Sequence, residues 1–354
     1  MKTGFVDLPL HRGSAPPWLF SRMKLLAREI ILSILINFDR EELYLRLSDP
    51  VWFQSFGCVL GFDWHSSGLT TVTTGAIKEG LREESSHIGI FFAGGKGKSS
   101  LNTPMDIENS FEKGFIGYDY KEELKKTSRL VAKVDSNAVQ SGYKLYHHFM
   151  IYDKDKNWVI IQQGMKGNSV YARRYHWSSY GLESFVKDPH KGVIASRKES
   201  PLNLVDSSID FTRSQIVNLA NEDAKLVARE LKTIKLPQHH PLFPSDFNVN
   251  YIEKVMKKAN EENPKDFEKL LLVRGLGEKT LRALALLANL TYGGELSFKD
   301  PANFSFAHGG KDGYPFPVER DTYDKSIEVF RVAINHARIG DLEKFNALRR
   351  LKEL

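Results

Sequence analysis

The chain has 354 residues, 41% of them hydrophobic and 27% charged. That balance suits a soluble globular protein and excludes a disordered tail, a collagen-like fibre or a small disulfide scaffold. Fifty Lys and Arg against 44 Asp and Glu leave a formal net charge of +6, which favours a polyanionic partner, and the single cysteine, Cys58, permits no internal disulfide and points to a reducing compartment.

Residues 18–38 place Leu19, Met23, Leu26, Ile30, Ile34 and Phe38 at three- and four-residue steps after Pro16-Pro17, which predicts an amphipathic helix. Short β-type runs follow at 57–62, 87–92, 146–152 and 158–161. A helix over 70–82 separates the first two, and a polar hairpin connection at 153–157 joins the last two. The alternation predicts an α/β domain with a mixed sheet over residues 1–205. Beyond 205 the period is helical, over 214–233, 250–261, 264–272, 278–290 and from 324 onward, so residues 206–354 are expected to form an all-α domain. Residues 237–244 (PQHHPLFP) read as a rigid linker, and 293–318, with five Gly and three Pro, as an ordered loop. Residues 1–205 hold 27 basic against 22 acidic residues and the remainder 23 against 22, so the basic surplus is expected in the first part.

The opening stretch MKTGFVDLPLHRG has neither an apolar core nor a small-residue cleavage site, so a secretory signal is not expected. The apolar run 30–36 is too short to span a bilayer. A cytoplasmic protein without membrane contact is the expectation.

The clearest motif spans about 264–290. Leu270 to Val273, then Gly275-Leu276-Gly277, then Glu278 to Leu284 fit helix, Gly-x-Gly hairpin, helix. Two glycines let the backbone pass close to a ligand, and the second helix opens with unpaired N–H groups that suit a phosphate. Gly275, Gly277, Lys279 and Thr280 are therefore candidate DNA-backbone contacts. The segment resembles the helix–hairpin–helix of DNA repair proteins. In glycosylases of that type a lysine directly after Gly-x-Gly-x attacks the sugar and a later Asp assists; Lys279 occupies the lysine position and Asp300 lies 21 residues on.

In the first part, Asp63 and His65 follow a β-type run, with the same-face spacing of an extended segment. Asp135 supplies a second carboxylate, Gln162 and Gln163 alternate in the run after the hairpin, and Arg173-Arg174 lie beside Tyr175 and Trp177. Two carboxylates with His or Gln donors are the minimum for holding Mg²⁺ or Mn²⁺ against a scissile phosphate. Asp63 and Asp135 are the expected metal ligands, assisted by His65 and one of Gln162 or Gln163. An Arg pair among aromatics suits phosphate contact with base stacking. Gly94-Gly95-Lys96-Gly97-Lys98-Ser99 fails as a Walker loop because position 92 is Phe92, although a backbone nest for phosphate remains open.

Thr3-Gly4 to Leu10, Pro17-Trp18-Leu19-Phe20, Phe56 to Gly68, Gly94 to Lys98, Ala132 to Asp135, Gln162 to Met165 and Ala172 to Trp177 resemble a mainly archaeal and thermophile family, filed as domain of unknown function 763. The resemblance implies an archaeal-type cytoplasmic protein and supplies no catalytic residues. From the residues themselves, the expected function is a DNA-processing or repair enzyme, a metal-dependent endonuclease acting on damaged or structured DNA. The alternatives are a glycosylase/lyase using Lys279 and a non-catalytic DNA-binding module.

Overall fold

The computed structural model describes residues 15–62, 67–167, 171–195, 198–234, 247–303 and 320–353. Helices α1 (Pro17–Asn37), α2 (Arg40–Ser48), α3 (Pro50–Val59) and α4 (Gly68–Gly80) precede a short α5 (Ser85–Ile88) and strand β1 (Ile90–Lys96). The expected helices over 18–38 and 70–82 are thus α1 and α4. The expected strand at 57–62 is instead the end of α3. Every residue of α3 is buried, and a helix buried all round lacks the solvent-facing polar stripe whose period would tell it from a strand. Its start is fixed locally: Pro50 sits in the first turn, and the Asp49 side chain accepts from Val51 N and Trp52 N at 2.8 and 2.7 Å.

After α6 (Lys98–Leu101), α7 (Thr103–Glu112) and α8 (Tyr118–Lys133), a π-helical turn Val134–Ala138 leads to β2 (Val139–Gln140), β3 (Lys144–Asp153), β4 (Trp158–Met165), β5 (Ala172–Ser178), β6 (Gly192–Ile194) and β7 (Leu202–Asn203). The main sheet has the order β1-β3-β4-β5-β6, and β2 pairs separately with β7. All ladders are antiparallel, which corrects the expected mixed sheet. The connections from β3 to β4 and from β4 to β5 are too short for the crossover that a parallel pair requires. The predicted hairpin at 153–157 is present: Asp153 Oδ1 accepts from Asp155 N at 2.8 Å and Asn157 N at 3.1 Å, while Lys156 takes a φ of 71°.

Helices α9 (Asp210–Asn221), α10 (Ala224–Thr233), α11 (Val249–Glu262), α12 (Phe267–Leu272) and α13 (Glu278–Tyr292) follow, then α14 (Arg320–His336) and α15 (Asp341–Glu353). The expected single helix over 214–233 is broken at Asp223, whose side chain caps α10. The expected linker at 237–244 lies outside the described residues, and so does most of the expected loop at 293–318.

Strand alternation splits the core into two apolar layers. Phe149, Ile151, Val159 and Ile161 face a layer built from α1 to α4, whereas Met150, Tyr152, Ile160, Tyr175 and Trp177 face one built from α8 to α13. Residues of α14 and α15 join the first layer, where Phe330 stacks on Trp52 at 4.5 Å and 6°. The buried clusters therefore cut across the expected boundary at residue 205. Among the described residues, no helix is long and apolar enough to cross a membrane.

Candidate functional site

A chain of buried polar side chains crosses the α8 face of the sheet. Asp135, fully buried on the π-helical turn, accepts at Oδ2 from Gln162 Nε2 and from Trp177 Nε1, the latter at 3.0 Å; its Oδ1 lies 2.6 Å from His190 Nε2. The proton positions follow from what each group can donate. An indole only donates and a carboxylate only accepts, so the Gln162 amide nitrogen faces Asp135 and its oxygen faces His148 Nδ1 at 2.7 Å. His148 must then carry its proton on Nδ1, which leaves Nε2 to accept from Ser128 Oγ at 2.9 Å. By the same reasoning His190 is protonated on Nε2. Burial pushes the His148 pKa down, against the pull of Gln162 and Asp135, so its ring is neutral at pH 7.

On the opposite face, Gln163 Oε1 accepts from Thr70 Oγ1, and Gln163 Nε2 donates to Ser67 O at 2.9 Å and to the Tyr146 hydroxyl. His147 Nε2 lies 3.2 Å from Thr74 Oγ1, and burial lowers its pKa to about 3. The two glutamines thus belong to different networks separated by the sheet. Of the expected catalytic set, Asp135 and Gln162 come together and Gln163 stands apart, as strand alternation allows only one of the two glutamines on that face. Asp63 and His65 lie outside the described residues.

Arg173 and Arg174 are both wholly buried, which corrects their expected place on a nucleic-acid surface. Arg174 donates to Gln54 Oε1 at 2.9 Å, Thr70 Oγ1 at 3.2 Å and Pro50 O at 3.2 Å, and burial lowers its pKa to about 9. Arg173 NH2 lies 2.6 Å from each oxygen of Asp300, which also accepts from Glu199 N and Ala302 N. Asp300 is therefore bound up in a buried ion pair and is not available as the assistant expected for Lys279.

The turn between α12 and α13 is held from below. Arg129 NH2 donates to Leu272 O at 2.7 Å, Lys133 Nζ to Leu276 O at 2.7 Å, Gln140 Nε2 to Glu278 O at 2.9 Å and Tyr251 OH to Gly275 O at 3.0 Å. Burial lowers the Lys133 pKa, with Arg129 adding to the effect. Gly275 takes a φ of 94°, and Gly277 precedes α13 with no side-chain cap. Arg274 and Lys279 are exposed on either side, whereas Thr280 is buried and faces inward.

Sequence reasoning left Ser128, His148 and His190 out of the candidate set, and it gave Trp177 a stacking role where the structure has its Nε1 donating to Asp135. The predicted hairpin carried a signal for one of them: extending its register from Tyr152↔Trp158 sets His148 opposite Gln162. His190 sits in a connection with no period, and nothing local marked it. Among the described residues, no group of three or more His, Cys, Asp or Glu is arranged to hold a metal ion.

No curated protein and no solved structure matches the chain. A family model described as Protein of unknown function (DUF763) matches residues 4–318, nearly the full length. The chain therefore belongs to the DUF763 family.

Proposed function

We propose that this protein grips a nucleic-acid backbone through the turn at 273–277 and the opening of α13, and acts on the strand it holds. The observation that carries this reading is the turn itself. The carbonyls of Gly275 and Leu276 within it and of Leu272 and Glu278 beside it are already satisfied by Tyr251, Lys133, Arg129 and Gln140, so its shape is set before a ligand arrives. Its outer side offers Arg274, Lys279 and the uncapped first turn of α13 to phosphate. Contact of this kind reads backbone, not base sequence.

A hydrolytic step is favoured by the convergence of Asp135 and Gln162 with two histidines. Asp135 aligns His190 at 2.6 Å, the arrangement of a carboxylate that orients a general base. A divalent ion at Asp135 would have to take over an oxygen now bonded to Gln162, Trp177 or His190.

The test is a labelled DNA panel with deaminated, oxidised, abasic and branched sites, incubated with Mg²⁺, Mn²⁺ or EDTA. Binding should weaken at least about tenfold when Arg274 and Lys279 are both changed to Glu; unchanged affinity in that variant sinks the binding reading. Cleavage that persists in His190→Ala removes His190 from the chemistry.

A further inference from the structure

β1 forms one edge of the sheet. Gly97 N donates to Tyr146 O at 2.7 Å, so in this antiparallel register Phe91, Ala93 and Gly95 turn their N–H and C=O groups toward β3. Phe92 and Gly94 turn theirs outward. At Gly94 the edge is closed: Lys78 Nζ donates to Gly94 O at 2.9 Å, and Gly94 N donates to Asp106 Oδ2 at 2.9 Å. Lys78 and Asp106 pair with each other at 2.8 Å, so together they stand where the amide of a further strand would be. Phe92 instead faces a cleft of about 310 Å³, whose lining includes Phe91, Phe115, Arg82, Asn109 and Lys113.

We propose that this cleft binds a nucleotide, its base edge paired with the backbone N–H and C=O of Phe92 and its phosphate at Arg82 and Lys113. A base presents a donor beside an acceptor, as adenine does, and an outward-facing strand residue presents the complementary pair. Phe91 and Phe115, stacked at 4.8 Å and 13°, supply an aromatic wall. The charge of Lys78 is spent on Asp106, whereas Lys113 and Arg82 lie exposed at the mouth. Arg82 also pairs with Glu79, an exposed contact that costs little to exchange for a phosphate. The cleft is at the small end of ligand sites. An extended peptide fits less well, because strand addition needs successive open positions and Lys78 with Asp106 fills the one at Gly94. This site shares no residue with the α12–α13 turn or the Asp135 chain, so it stands or falls separately from them.

Calorimetric titration of the full-length protein with AMP, adenosine, ribose 5-phosphate and an extended acidic hexapeptide tests the assignment. AMP should bind, adenosine about tenfold more weakly and ribose 5-phosphate more weakly still. Arg82→Glu with Lys113→Glu should lower AMP affinity at least about tenfold and leave adenosine unchanged. Asn109→Trp, at an exposed position, should fill the cleft and remove both, with an unchanged circular dichroism spectrum and melting temperature. The assignment is overturned if AMP fails to bind at millimolar concentration, if ribose 5-phosphate matches AMP, if the peptide binds and AMP does not, or if folded Asn109→Trp still binds AMP.

Discussion

His148 Nδ1 lies 2.7 Å from Gln162 Oε1, directly across the β3–β4 ladder, and with the Gln162 amide turned toward Asp135 this contact sets the His148 tautomer and the direction of the Ser128 hydrogen bond. The chain ends on Asp135, whose two oxygens accept from three side chains. Asp135 thereby connects the end of α8 to β4, β5 and the segment before β6.

Removing that carboxylate should be costly. Asp135→Ala leaves the donors of Gln162, Trp177 and His190 buried without an acceptor, a loss of about 3 kcal/mol or more. Urea denaturation of wild type and variant measures it, and a loss below about 1 kcal/mol would show that the chain rearranges freely.

Acid should weaken the fold through its buried histidines. His147, His148 and His176 all have pKa values pushed below the usual imidazole value by burial. The native state therefore binds fewer protons than the unfolded chain, so this stability is complete above about pH 6.5 and is lost as pH falls. For His147 the loss continues down to about pH 3. Each histidine contributes about 1.4 kcal/mol per pH unit within its window. Unfolding measured between pH 7 and pH 4 should show a shallower slope in His147→Gln, and an identical slope would contradict the neutral buried form.

The Arg173–Asp300 pair predicts an asymmetric double-mutant cycle. Asp300→Ala strands a buried guanidinium and should cost about 3–5 kcal/mol, whereas Arg173→Met combined with Asp300→Leu should recover most of it. Chemical denaturation of the single and double variants decides this. A lyase role for Asp300 would instead appear as lost activity without lost stability.

Gly275 is the position at which the α12–α13 turn is most exacting. An added Cβ would meet Tyr251 and Val255 only at 3.5 Å, so space is available, but the φ of 94° is left-handed. Gly275→Ala should cost about 1–2 kcal/mol through the backbone alone. Nucleic-acid affinity, measured by fluorescence anisotropy, should fall with it, and the salt dependence of binding should flatten only when Arg274 or Lys279 is removed.

Phe330→Ala tests the cross-chain core. Phe330 stacks on Trp52 with no exposed surface, and its loss should cost about 3–5 kcal/mol. A negligible change would separate α14 from the first apolar layer.

Much of this architecture could be read directly from the chain. The period of α1, the polar connection between β3 and β4, and the alternation that puts Gln162 and Gln163 on opposite faces are properties of neighbouring residues, and local sterics and turn chemistry impose them wherever the segment sits. Two glycines around Leu276 likewise announced the turn before α13. What the sequence could not disclose depends on burial and on distant partners. α3 is buried on every side by the elements around it, so it had no solvent-facing period to detect. Arg173 and Arg174 look like a basic surface until Asp300, 127 residues away, and Gln54, 120 residues away, are seen to hold them inside. Asp135 meets Gln162 across 27 residues and His190 across 55. Local pattern determined the elements, and tertiary packing alone decided which polar groups meet, because a buried donor or acceptor takes whatever partner the folded chain brings within hydrogen-bonding distance.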